Sequence, residues 1–165
     1  MTTKIWNNLA IVKFKSIYIG HLISKYQRYD LLINVFLAIA TSGSIAAWAI
    51  WKEFPIIWAS VIALSHVVNV IRPFFPYSRY TKILNDKYLL SQNLFLDYER
   101  VWYQIEKAKL TEDAIAEKYF ELSKKQNEVF NLDSGILISR DQKLSDKVEK
   151  EYLTFLKNNY NIHSS

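Results

Sequence analysis

The residues of this chain whose types could do chemistry are mostly polar side chains set where polarity is costly. Asn34, Thr41 and Ser44 interrupt one long uncharged run, and Ser65, His66 and Asn69 interrupt another. Spacings of three and four put Ser65, His66 and Asn69 on one helix face. If the two runs are antiparallel helices, Asn34 and Asn69 reach similar depth. Polar groups in an apolar medium cost free energy unless they are satisfied. These residues are therefore either an internal hydrogen-bond patch or the lining of a wet path.

Other chemistries lack their parts. The chain has no cysteine, which removes disulfides, thiolate metal sites and cysteine nucleophiles together. It has three glycines, too few for a phosphate-cradling loop or a nucleophile elbow. No histidine and carboxylate spacing suits zinc, and His21 and His163 are remote in sequence from His66. No arginine is followed five positions later by histidine, the spacing of helical ribonucleases: Arg140 meets Ser145 there. Glu112 and Asp113, or Glu149 and Glu151, fit solvated helix faces. The expectation is a protein that is not an enzyme, with no cofactor and no metal.

The elements that would position the polar residues are two apolar runs. Leu31 to Trp51 is 21 residues without a charge, and Phe54 to Ile71 is 18. At about 1.5 Å per residue, 20 helical residues cross a hydrocarbon core of about 30 Å. Trp48, Trp51 and Trp58 lie at the inner ends of the two runs, where indole rings suit a membrane interface. Only Lys52 and Glu53 separate the runs, and Pro55 fits the first turn of the second helix. The expectation is an all-α chain in three segments. These are a basic amphipathic stretch 1–30, a transmembrane hairpin 31–72 with spans 31–51 and 54–71, and a helical cytoplasmic region 73–165 of about three helices.

Charge sets the orientation. The net charge is +5, and the bases gather beside the runs: Lys4, Lys13, Lys15, Lys25 and Arg28 before the first, Arg72, Arg79, Lys82 and Lys87 after the second. Beyond residue 88 the acids outnumber the bases, so no basic nucleic-acid face is expected. Cytoplasmic loops collect Lys and Arg, which places both termini in the cytoplasm and the bilayer as first partner.

Small and apolar stripes suggest what the helices touch. Ala38, Ser42 and Ala46, with Ala59 and Ala63, recur every four residues, a spacing that lets backbones approach inside the hairpin or between subunits. Ile5, Leu9, Val12, Ile19, Ile23 and Tyr26 make one stripe before the first run, with Ser16 in its gap; it lies on the membrane or on the protein. The alternation in IVKFKSIYI also fits a strand, although the longer pattern favours a helix. After Pro73 and Pro76 interrupt the chain, Leu84, Tyr88, Phe95, Tyr98, Trp102 and Ile105 form a seam with an average spacing near 3.5. It suits a homo-oligomer, and a core stripe against the next helix gives the same pattern. Thr111 is expected as an N-cap, NLDSG at 131–135 as a turn, and Leu144 to Leu156 as a last helix.

The lead ending KYQRYD, the closely joined spans and the following RPFFPYSRYTKILNDKYLLSQNLFLDYERVW together resemble the SLATT group of bacterial two-transmembrane effector domains. In that group a hairpin precedes a long helix with a Tyr and Leu pattern like Tyr88, Leu89 and Leu94. The resemblance covers roughly residues 20–108. It implies a membrane effector of an anti-phage or other conflict system that assembles into a pore or otherwise breaches the membrane when a sensor is triggered. It carries over no catalytic residue. The trigger would be a separate cytoplasmic protein or a ligand. A non-conducting anchor or adaptor, or an accessory subunit of a transporter or CRISPR-associated complex, is the alternative.

Overall fold

The structure, a computed structural model, describes residues 1–41, 55–74, 77–131 and 141–160. Every element among them is a helix: α1 Thr2–Thr41, α2 Pro55–Ile71, a 3-10 turn Arg72–Phe74, α3 Tyr77–Glu106, α4 Glu112–Phe130 and α5 Gln142–Tyr160. The all-α expectation holds, and IVKFKSIYI lies inside α1 rather than in a strand. Its alternation is overridden by the 3.6-residue period of the whole stretch. Pro55 opens α2, where its missing N–H costs nothing. The tightening at Arg72–Phe74 falls where Pro73 disfavours α geometry in its predecessor.

The chain divides into two compact units, Met1–Ile23 with Lys82–Ser165, and Ser24–Thr81. The sequence segments were drawn at residues 30 and 72 instead. The difference arises because the first 23 residues form a helical unit with α3 to α5, a pairing of distant segments that periodicity does not reveal.

In the first unit, four helical stretches surround one core. Ile5, Leu9, Val12, Ser16, Ile19 and Ile23 of α1 are buried, so the amphipathic stripe is spent on the protein and not on a membrane. Leu94, Phe95, Tyr98 and Val101 of α3, and Ile115, Leu122 and Val129 of α4, join Ile5, Leu9 and Val12 in the same cluster, with Phe155 and Tyr160 of α5 packed on it. Burying one such side chain is worth about 1.5–3 kcal/mol, which is what opposes the entropy of ordering the chain. The oligomer seam is corrected by the same packing. Leu84, Phe95 and Tyr98 are buried, Trp102 and Ile105 are packed against the core, and the half-buried Tyr88 ring lies against Gly20 of α1. A core stripe and an intersubunit seam share one spacing, and here the chain itself fills it.

Polar groups inside this unit are paired. Asn8 donates to the Tyr98 hydroxyl at 3.2 Å and to Ser123 Oγ at 3.3 Å, while Tyr98 donates to Gln126 Oε1 at 2.9 Å. Gln92 donates to the fully buried Ser16 at 2.9 Å. Among the described residues no buried side-chain nitrogen or oxygen lacks a partner.

The helix ends are built by named residues. Thr111 Oγ1 accepts from Ala114 N at 3.3 Å, as expected of an N-cap, and Asp141 Oδ1 accepts from Leu144 N at 3.2 Å in the same role for α5. At the end of α3, Ala108 N donates to Ile105 O and Lys109 N to Gln104 O, each at 2.9 Å, with Ala108 at φ 49°. That is a Schellman ending with alanine where glycine is usual. Lys87 Nζ donates to the carbonyls of Glu128 and Asn131 at 3.1 Å each, placing a cation on the negative end of α4. Of the NLDSG turn, only Asn131 is described; it is the C-cap of α4.

The Ser24–Thr81 unit holds the distal part of α1 and all of α2. Many of its apolar side chains face outward: Leu31, Leu32, Val35 and Ile39 from α1, and Ile56, Ile57, Leu64, Val67 and Val70 from α2 are exposed, while Leu37 is buried. One helical stretch, beginning at Pro55, is long and apolar enough to cross a membrane by length and composition, and 6% of its apolar window is buried. The second half of the 31–51 run, with Trp48 and Trp51, and the Lys52 and Glu53 turn lie outside the described residues.

Candidate functional site

Of the polar residues expected to act together, Asn34 is bonded to two residues outside that set. Asn34, one turn after Asp30, donates through Nδ2 to Asp30 Oδ2 at 3.1 Å and accepts at Oδ1 from Arg72 Nη2 at 2.6 Å. No hydrogen bond joins Asn34 to Asn69 among the described residues. Arg72 lies three positions after Asn69 and brings a long, charged donor, and a charge-assisted bond is about twice as strong as one between two amides. The bridge from Asp30 through Asn34 to Arg72 ties the distal part of α1 to the end of α2.

Ser65 is buried and returns its hydroxyl to Ile62 O at 2.7 Å, whereas His66 and Asn69 are exposed. The shared face is thus divided at its edge, with Ser65 turned inward. Ala38, Ala59 and Ala63 are exposed. Ser42, Ser44 and Ala46, and the side chain of Thr41, lie outside the described residues.

A tyrosine cluster that sequence reasoning missed adjoins the Asn34 bridge. Tyr26 stacks on Tyr77 with ring centroids 5.8 Å apart and meets Tyr80 at 6.0 Å; Tyr29 meets Tyr77 at 5.9 Å. The Lys25 ammonium sits 5.9 Å from the Tyr29 ring centroid. Arg28, Arg72 and Arg79 are exposed within the same two stretches. The signal was present as tyrosines at 26, 29, 77 and 80, flanking both apolar runs, but only folding shows that they touch.

The first unit offers a different kind of recess. A groove of about 690 Å³ is lined by Phe14, Tyr18, Phe130, Tyr152 and Leu153, with Lys15, Asp146 and Glu149 among its polar groups. Lys15 Nζ stands 4.6 Å over the Phe130 ring and Gln142 donates to Asp146 at 3.0 Å, so these polar groups are already engaged. No histidine is among its described lining residues. His21 instead meets Glu151 at 2.7 Å, joining α1 to α5.

The ionisable groups that depart from their usual behaviour are structural. Burial lowers the affinity of Lys13 for its proton, opposed by Glu99 and Glu151, while its ammonium lies 4.6 Å from the Phe95 ring and 4.2 Å from that of Phe155. Ring faces also favour the charged form, so this cation is held by its surroundings despite the desolvation. Burial raises Tyr98, Tyr152 and Tyr160, and for Tyr160 the bond it donates to Glu99 at 2.8 Å adds to the rise. Among the described residues no cluster of three His, Asp or Glu side chains could hold a metal ion.

No family model, curated protein or solved structure matches the chain.

Proposed function

We propose that the chain is a membrane effector, anchored by a two-span hairpin with both termini in the cytoplasm, that assembles with copies of itself to form a pore or otherwise breach the bacterial inner membrane in anti-phage defence. The observation that carries the membrane part is the outward-facing apolar surface of the Ser24–Thr81 unit. Large side chains such as Ile56 at 81% and Val70 at 69% exposure stand in a unit that also gathers bases and tyrosines. In water such a surface is a liability; against lipid tails it is favourable. The pore and the defence role rest on the resemblance to the two-transmembrane effector group. A separate cytoplasmic sensor is the partner that this reading requires.

Assembly in this reading does not use the α3 seam, which is spent within the chain. The exposed Ala59 and Ala63 on α2 suit close approach between subunits. The test is reconstitution of the full chain into dye-loaded liposomes after the mass of the detergent-solubilised protein has been measured. The proposal expects an oligomer and dye release. A monomer, or an oligomer that releases no dye, removes the pore.

A second reading, a non-conducting anchor that recruits a cytoplasmic partner, is favoured by one observation: Asn34 is satisfied by Asp30 and Arg72 rather than left open to a path. Replacing Asn34 and Asn69 together by Leu separates the two. Loss of activity with assembly intact supports the wet path, and retained activity supports the anchor.

A further inference from the structure

We propose that the basic, tyrosine-rich end of the Ser24–Thr81 unit is a binding site for the phosphate of an anionic phospholipid headgroup, built by Arg28, Arg72 and Arg79 around the Tyr26, Tyr29 and Tyr77 cluster. The inference rests on the membrane reading above and adds a ligand class to it.

Contacts bring the two stretches together, and Arg28 and Arg79 are exposed positions within them. The Tyr26 to Tyr77 and Tyr29 to Tyr77 ring pairs, at 5.8 and 5.9 Å, and the Arg72 to Asn34 bond, at 2.6 Å, bring residues 26–34 against residues 72–80. All the bases among the described residues of this unit fall in or next to those two stretches: Lys25, Arg28, Arg72 and Arg79. The one acid among them, Asp30, is turned to the Asn34 amide rather than to an arginine. Asn34 is neutral, so the bond that aims Arg72 does not itself neutralise the guanidinium. A planar guanidinium so oriented has donors remaining for a phosphate, which it can meet with two parallel N–H bonds.

The surroundings select a lipid over another phosphate bearer. On α1 the exposed Leu31, Leu32 and Val35 directly follow the basic stretch, and on α2 the exposed Val67, Val70 and Ile71 directly precede it. A headgroup phosphate held by the arginines therefore has apolar surface beside it for its acyl chains. Tyrosine rings are favourable at that depth, where an apolar body and a polar hydroxyl meet both phases. An acidic peptide or a soluble phosphate would leave this adjoining surface unused.

The experiment uses the full chain in detergent and in nanodiscs of phosphatidylcholine with or without phosphatidylglycerol. Native mass spectrometry should show phosphatidylglycerol retained in preference to phosphatidylcholine. The triple variant R28Q/R72Q/R79Q should weaken that preference roughly tenfold to a hundredfold, as expected for three bases near an anionic surface. K118Q/K125Q, on α4, should leave it unchanged. Inorganic phosphate at millimolar concentration should not displace the lipid; displacement would mean a free-phosphate site and overturn the lipid assignment. Equal retention of both lipids by the unsubstituted protein overturns the proposal whether or not the variant folds. If the chain inserts in phosphatidylcholine nanodiscs but shows no lipid preference, only this proposal fails. If it binds neither detergent nor lipid, the membrane reading itself fails.

Discussion

At the scale of single residues, the side chains that matter most are polar groups held inside or beside apolar surroundings. Tyr98 is the clearest. Its hydroxyl receives from Asn8 and donates to Gln126, linking α1, α3 and α4 at a fully buried position. Tyr98→Phe keeps the ring but leaves a part-buried amide and carbonyl oxygen short of a partner. The expected cost is about 1–3 kcal/mol, read from the thermal midpoint of the detergent-solubilised chain. Asn8 belongs to the same helix as Ile5, Leu9 and Val12 and lies within a turn of each, so its position beside the core was legible. Its partner on α3 was not, because 90 residues separate the two.

Alkaline pH gives a second test at this scale. Tyr98, Tyr152 and Tyr160 all hold their protons above the ordinary tyrosine value of 10.0, mainly through burial. Their folded values are raised above the unfolded ones, so the stability they contribute is fully present below about pH 10 and is lost as pH rises beyond it. Titration followed at the tyrosinate absorbance should show Tyr98, Tyr152 and Tyr160 ionising above the ordinary value, together with loss of helix. Ionisation of these three at the ordinary value, with the helices intact, would contradict the packing described.

At the scale of elements, helix ends separate what the sequence states from what it hides. Thr111 is readable as an N-cap because an acidic pair follows it before an apolar stripe. The Schellman ending at Ala108 is not readable, since nothing in YQIEKAKLTED contains the glycine that usually marks one. Ala108 adopts φ 49°, where a Cβ is strained. Ala108→Gly should therefore raise stability by about 1 kcal/mol, and Thr111→Ala should lower it by about 1 kcal/mol. Thermal unfolding of the two variants beside the unsubstituted chain checks both signs. If glycine destabilises, chain entropy outweighs the relief of strain.

Ridges of apolar residues raise the same distinction. The α1 stripe and the α3 seam are correct as stripes, since period alone defines them. What covers them is a different matter, because membrane, partner subunit and neighbouring helix all accept the same face. The structure assigns both to one core, and the assignment makes the first 23 residues part of a folded unit instead of a surface-lying helix.

At the scale of the whole molecule, the membrane reading makes the next prediction. Val35 and Val67 are exposed at 47% and 54% on the two apolar helices. An Asp costs about 2.5–3.5 kcal/mol to insert at the centre of a spanning helix, and less toward the ends, where Val35 and Val67 lie. Val35→Asp with Val67→Asp should move the chain from the carbonate-resistant membrane fraction toward the soluble or aggregated fraction. Leu89→Asp, at an exposed position on α3 in the first unit, should not. Equal extraction of all three proteins would argue that the apolar surface does not meet lipid.

Composition and spacing alone determined that the described residues are helical, where the apolar runs lie, and which faces of α1 and α3 are apolar. These are local properties, set by residue type and by a period of 3.6. Only the tertiary structure decided that the α1 stripe and the α3 seam bury each other, that Asn34 pairs with Arg72 rather than with Asn69, and that Tyr26 and Tyr29 gather with Tyr77 and Tyr80. Each of those depends on which distant segments meet. A face can be read from one helix, but its occupant is chosen by the energy of every competing contact at once.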